Sequence, residues 1–246
     1  MNRRRAFSLI ELLAVVAILS LLLSILAPML GRAKELTRRA VCAAGIRLNG
    51  TALSSYASEF RQLLPMYGDQ YNGNWFWDPA HKMRKAVVAC GGSRQSMQCP
   101  SCMENDIEDI WWWGWYSNNQ LAGKKPDELE ADDYINYGGT GYWWMIKRLN
   151  GPNLNLALLA GKKWVTSINA DQASLTELVT DVTMAQNGDF AHIRGGYLKA
   201  LHRSNHLEGG GNPAGGNVLF VDTHLVWRPF AEMNLVRANP QPDHWY

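Results

Sequence analysis

Four cysteines in 246 residues are too few to build the fold from disulfides, so an apolar core must hold it. Charge of one sign is also scarce. The net charge is +2, and Arg3, Arg4 and Arg5 supply three of the 24 basic residues. With the first six residues set aside, 21 basic residues face 22 acidic ones, a net of −1. No basic stripe remains, which excludes a nucleic-acid partner. No Gly-x-Ser-x-Gly turn is present to carry a hydrolase nucleophile. The glycine-rich stretch GGGNPAGG lacks the lysine and the strand-to-helix setting of a phosphate loop. No internal repeat is visible. A non-enzymatic role is the reading these absences leave.

What the chain does have is one long apolar run. Phe7 to Leu30 is broken only by Ser8, Glu11, Ser20, Ser24 and Pro28. Its 24 residues are enough to cross about 30 Å of hydrocarbon as a helix rising about 1.5 Å per residue. The three arginines on its N-terminal side keep that end cytoplasmic and send the rest of the chain outward. The run is longer than the apolar region of a secretory signal peptide, and no small-x-small cleavage site follows at once. Glu11 argues against a plain anchor. An acid in a spanning helix costs about 2.5–3.5 kcal/mol, less near the interface, and an anchor gains nothing from it. Cleavage between Ala6 and Phe7 would create an α-amino group four residues before Glu11. Between staggered helices, one copy's Glu11 could meet another's terminal amine and fix the axial register.

Ala6-Phe7-Ser8-Leu9-Ile10-Glu11, after a short basic leader and before an apolar helix, resembles the signature shared by type IV pilins and the pseudopilins of type II secretion. Ala6 stands where glycine is usual, and Pro28 falls where the family commonly carries a helix-kinking proline. The resemblance implies cleavage after Ala6 by a prepilin peptidase, N-methylation of Phe7 and a role for Glu11 in assembly. It also implies partners: the lipid bilayer, an inner-membrane assembly platform, and copies of the chain and other pilin-like subunits in a filament. The head would be periplasmic or at the cell surface.

Beyond the span, residues 32–60 contain no proline and many good helix formers. Val41, Gly45, Leu48, Ala52, Tyr56 and Phe60 recur at steps of three or four, which predicts an amphipathic continuation. One helix from Phe7 to about Gln62 follows. The segment VCAAGIRLNGTALSSYASEF also resembles a subgroup of large prepilin-like proteins. These carry a C-terminal Gly-Gly-Asn-Val-x-Phe-x-Asp-Gly-His stretch, to which residues 215–224 correspond with Thr223 in place of glycine. The expected organisation is a leader (1–6), a transmembrane helix (7–30), its amphipathic continuation (31–62) and a globular head (63–246).

In the head, short apolar runs alternate with Gly, Asn, Asp and Pro clusters. Strands are expected at 163–168, 176–182, 196–201, 217–222 and 225–228, with a short one at 85–89, while 141–149 stands out as rich in Tyr and Trp. The runs at 217–222 and 225–228 are joined in a hairpin turned by Asp222 and Thr223. The fold class is α+β: an antiparallel sheet laid on the long helix.

Four groups of residues are candidates for chemistry. Cys90, Cys99 and Cys102, with His81 upstream, could form a structural disulfide or ligate zinc, and Cys99-Pro-Ser-Cys102 could be redox-active. The resemblance to pseudopilins, some of which hold calcium in a C-terminal loop, implies that Asp181, Asp189 or Asp222 could give oxygen ligands to calcium, although no loop has dense acid spacing. His202, His206, Asp222 and His224 have no spacing that fixes a catalytic or metal geometry. Six tryptophans lie in Asp109–Asn119 and at Trp143-Trp144. Core packing is the favoured use of these rings, and sugar stacking by an anchored glycan-binding module is the rival.

Overall fold

The computed structural model describes residues 9–65, 79–102, 140–146, 164–194, 201–237 and 243–245. The expected helix is there: α1 spans Leu9–Glu59 and runs on through Pro28. Its first half is exposed from Leu9 to Leu30, where none of the described residues of the head covers it. Its end is set by backbone handedness. Arg61 and Gln62 both take positive φ (55° and 66°), and the Gln62 N–H bonds back to the Ala57 carbonyl at 2.7 Å, capping the last turn. The processing residues Ala6 and Phe7 lie outside the described residues.

The head-facing side of α1 is not the stripe that periodicity picks out. Cys42, Ile46, Asn49, Gly50, Leu53 and Ala57 are buried, whereas Val41, Leu48 and Phe60 are 55%, 42% and 49% exposed. Of the expected stripe only Ala52 is among the buried residues. The two stripes sit one residue apart, about 100° round the helix, and the buried one contains polar Asn49. Its side chain donates to the Ser96 carbonyl (2.6 Å) and accepts from the Ser96 hydroxyl (2.8 Å). Those bonds remove the usual penalty for burying an amide.

After α2 (His81–Ala89), the strands in chain order are β1 (Tyr142–Trp144), β2 (Glu177–Asp181), β3 (Met184–Ala185), β4 (Ile193–Arg194), β5 (Leu201–His202), β6 (Gly215–Phe220), β7 (Leu225–Pro229), β8 (Leu235–Arg237) and β9 (Asp243–Trp245). The main sheet has the order β1-β2-β6-β7, antiparallel throughout. It lies against α1, close enough that a β-carbon on Gly50 would sit 2.6 Å from Leu219 Cδ2. Ile46 and Leu53 from the helix join Tyr142, Val179 and Leu219 from the sheet in one core. The architecture is α+β and pilin-like, a long helix packed on a four-stranded antiparallel sheet.

Two strand expectations are corrected. Residues 85–89 are the second half of α2, not a strand. Met83, Arg84 and Val87 turn inward at helical spacing, and Lys and Ala favour that conformation. Residues 164–168 make isolated bridges, Val165 to Ile146 and Ser167 to Leu63, rather than a strand. The residues at 195–200 and the Trp-rich stretch at 109–119 lie outside the described set. Tyr142, Trp143 and Trp144 are all buried, as the core-packing reading expects, and the Trp144 indole N–H donates to Thr140 Oγ1 at 2.9 Å.

The expected hairpin joins β6 to β7, with Leu219 opposite Leu225 and Val218 opposite Val226. Thr223 sits in its turn at φ 72°, a left-handed conformation that strains any residue with a β-carbon. This is the position where the resembled stretch carries glycine. Thr223→Gly is therefore expected to raise stability by about 0.5–1 kcal/mol, the relief of strain exceeding the added freedom of the unfolded chain. A lower denaturation midpoint for that variant would contradict the turn geometry.

Candidate functional site

The sheet and helix bring four titratable side chains together in the core. Cys42 comes from α1, Cys99 from the loop after α2, Asp181 from the end of β2, and His206 from the loop before β6. All four are buried, and one ligand atom from each lies within 4.8 Å of all the others. Cys42 Sγ is 3.1 Å from Asp181 Oδ1, Cys99 Sγ is 3.5 Å from His206 Nε2, and His206 Nε2 is 3.3 Å from Asp181 Oδ2. Among the described residues this is the one group of three or more such side chains that could share a metal ion.

Each member is held by neighbours. Asp181 accepts from Asn205 Nδ2 (2.7 Å) on one oxygen, and from the Asn217 backbone N–H (2.7 Å) and Nδ2 (3.0 Å) on the other. The Gly215-Gly216-Asn217 stretch explains itself here. Gly215 has φ 147°, and a β-carbon there would collide with the Arg228 carbonyl; one on Gly216 would lie 2.8 Å from Asp181 Cβ. Two residues without side chains let β6 lie close over Asp181 and aim Asn217 at it. Tyr142 adds a hydroxyl 3.5 Å from Cys42 Sγ while donating to the Gln98 carbonyl.

His206 is oriented from its other ring nitrogen. Nδ1 lies 2.8 Å from Glu35 Oε1 and 2.9 Å from Ser101 Oγ. The Glu35 carboxylate only accepts, so Nδ1–H donates to it and Nε2 points at Cys99 and Asp181. Ser101 Oγ donates to the same carboxylate at 3.3 Å. Glu35 is seven residues before Cys42, two turns along one face of α1. Arg39 and Arg38 pair with it at 3.4 and 3.9 Å. Trp227 caps the assembly, with Arg39 stacked 4.5 Å over its ring and the His206 ring edge-on at 5.3 Å. His206 holds a left-handed backbone (φ 51°), a strained state that persists when surrounding contacts over-determine it.

The electrostatics follow from this geometry. Burial works against a charged His206, but the Asp181 charge, with hydrogen bonds to Asp181, Cys42 and Glu35, outweighs it and the imidazole is pushed up to about 12. Burial likewise opposes charge on Asp181, and the facing His206 with the Asn217 N–H holds it below the ordinary carboxylate value. Glu35 is lowered, against burial, by His206 and Arg39. Burial pushes the Cys42 thiol well up and the Cys99 thiol up.

Of the residues singled out from sequence, Cys99, Asp181 and His206 enter this group. All four cysteines are free thiols. Cys102 Sγ lies 3.5 Å from the Arg203 carbonyl, while Cys90 caps the end of α2 and is half-buried. His81 opens α2. Neither Cys90 nor Cys102 belongs to the quartet, and the side chain of His81 lies outside the described set. Asp189 accepts from the Ala191 and His192 backbone amides, and Asp222 from that of His224 in the hairpin turn. His202 lies in β5, opposite Ile193. Cys42, Glu35 and Ser101 were not legible as site residues. The one available signal was the two-turn spacing of Glu35 and Cys42.

At the other end of the molecule, Glu11 lies exposed on the uncovered half of α1, in its first turn. Residues 1–27 match the family model described as the prokaryotic N-terminal methylation motif. Neither a curated protein nor a solved structure matches the chain. The motif and the exposed apolar helix together support a membrane-anchored protein of the type IV pilin and pseudopilin type. The motif implies processing by a prepilin peptidase and assembly with other pilin-type subunits.

Proposed function

We propose that this chain is a structural subunit of a type IV pilus-like or type II secretion filament, cut after Ala6 and methylated on Phe7. The observation that carries the reading is the pairing of the methylation motif with a helix whose apolar half is exposed, none of the described residues of its own head covering it. Twenty-two residues of uncovered apolar helix, Leu9–Leu30, need either lipid or other helices around them. The bilayer serves the precursor, and packed copies of the same helix serve the filament. The apolar side chains of Val41 and Leu48 extend that exposed surface beyond the span. The head sits outside the cytoplasm and coats the helical core. Native chain from gently sheared cells is expected to sediment as a polymer with other pilin-type subunits. Recovery only as detergent-soluble monomers, under conditions where the filaments are intact, would contradict the proposal.

A further inference from the structure

We propose that Cys42, Cys99, Asp181 and His206 form a structural zinc site that fastens the long helix to the head. The donor set is two sulfurs, one imidazole nitrogen and one carboxylate oxygen, the mixture that borderline-soft Zn²⁺ takes. In a zinc tetrahedron with bonds of about 2.0–2.3 Å, ligand atoms lie about 3.3–3.8 Å apart. The contacts of 3.1, 3.3 and 3.5 Å around the quartet are near these edges, so a small outward shift of the side chains admits the ion.

The surroundings are those of a metal centre. Glu35 takes the His206 Nδ1–H at 2.8 Å and leaves Nε2 facing the other three donors, the arrangement in which a carboxylate orients a metal-bound histidine. Asn205 and Asn217 hold the Asp181 oxygens in place. Four protein donors fill the coordination sphere, and all four residues are buried, so no position is left for water or substrate. A closed sphere of this kind is structural rather than catalytic. On binding, both thiols and the imidazole lose their protons to solvent, and the ion forms bonds to two thiolates, neutral Nε2 and the carboxylate. No electron is exchanged.

The site would explain why so many polar groups converge beneath the sheet. Cys42 and Asp181 are 139 residues apart, and Cys99 and His206 are 107 apart. One ion would tie α1 to three separate segments of the head. This inference does not depend on the filament reading.

The test uses the full-length chain purified in detergent without added metal or chelator. Elemental analysis is expected to find about one zinc per chain, the content of one four-ligand site. Exchange with cobalt is expected to give thiolate-to-metal charge-transfer bands and tetrahedral d–d bands. Cys90→Ser should retain both, whereas Cys42→Ser and Cys99→Ser should lose them. Glu35→Gln should keep the tetrahedral spectrum while weakening zinc affinity about 10–100-fold, as expected for a partner that only orients a ligand. The cobalt spectrum of the unaltered chain decides the matter even where a cysteine variant does not fold. The proposal is overturned by a folded chain that takes up neither metal. It is equally overturned by a Cys42–Cys99 disulfide in the native protein, or by a cobalt spectrum that Cys90→Ser abolishes.

Discussion

In the metal-free chain, Asp181→Ala is expected to destabilise the head by about 3–5 kcal/mol, the cost of removing one partner from a buried ion pair. That is a large share of the roughly 5–15 kcal/mol that separates folded from unfolded domains. Asp181 is fully buried and its two oxygens face Cys42, Asn205, Asn217 and His206. Alanine would leave the Asn217 N–H and the asparagine amides without their acceptor. It would also leave the His206 imidazole without its principal counter-charge. Asp181→Asn keeps the shape but exchanges an acceptor for a donor facing other donors, so it too should destabilise, by less. Urea denaturation of the chelator-treated full-length chain in detergent, followed by tryptophan fluorescence, reads both variants. A loss below about 1 kcal/mol for the alanine variant would place it among ordinary surface substitutions and contradict the buried network.

Glu11→Ala is expected to leave membrane insertion intact or improved while removing the chain from filaments. The substitution takes an acid out of the apolar run, which favours insertion by up to about 2.5–3.5 kcal/mol, less near the interface. It also removes the carboxylate that would answer the α-amino group of Phe7 on a neighbouring, axially staggered copy. Such a pair specifies register more than it adds stability. The expected phenotype is therefore a defect in assembly, with precursor level and membrane fraction unchanged. Membrane fractionation and filament shearing on the same cells separate the two. Incorporation at the level of the unaltered chain would show that assembly does not use this acid.

The elements legible in the sequence are those whose signal is local. The helix shows in its apolar run and in the proline-free stretch after it. The β6–β7 hairpin shows in Val218–Val221, the Asp222-Thr223 turn and the apolar residues that follow. What was not legible depends on distant partners. Val41 and Leu48 look more apolar than Cys42 and Asn49, yet the head covers the second pair because Ser96 satisfies Asn49 and Asp181 meets Cys42. Residues 85–89 read as a strand until Met83 and Arg84 are included, which reveal the helical period. The quartet was visible only as scattered parts. Cys99 suggested its sequence neighbours Cys90 and Cys102, since spacing along the chain is the only metal signal a sequence offers. The fold instead joins it to a helix residue upstream and to two head residues far downstream.

As a filament subunit the chain is expected to be matured at the Ala6–Phe7 bond. Mass spectrometry of the N-terminal peptide from native membranes tests it most directly. The expected result is a peptide beginning at Phe7 with one added methyl group on its terminal amine. A native chain that still begins at Met1, or one cut beyond Leu30 with the apolar helix removed, would contradict it.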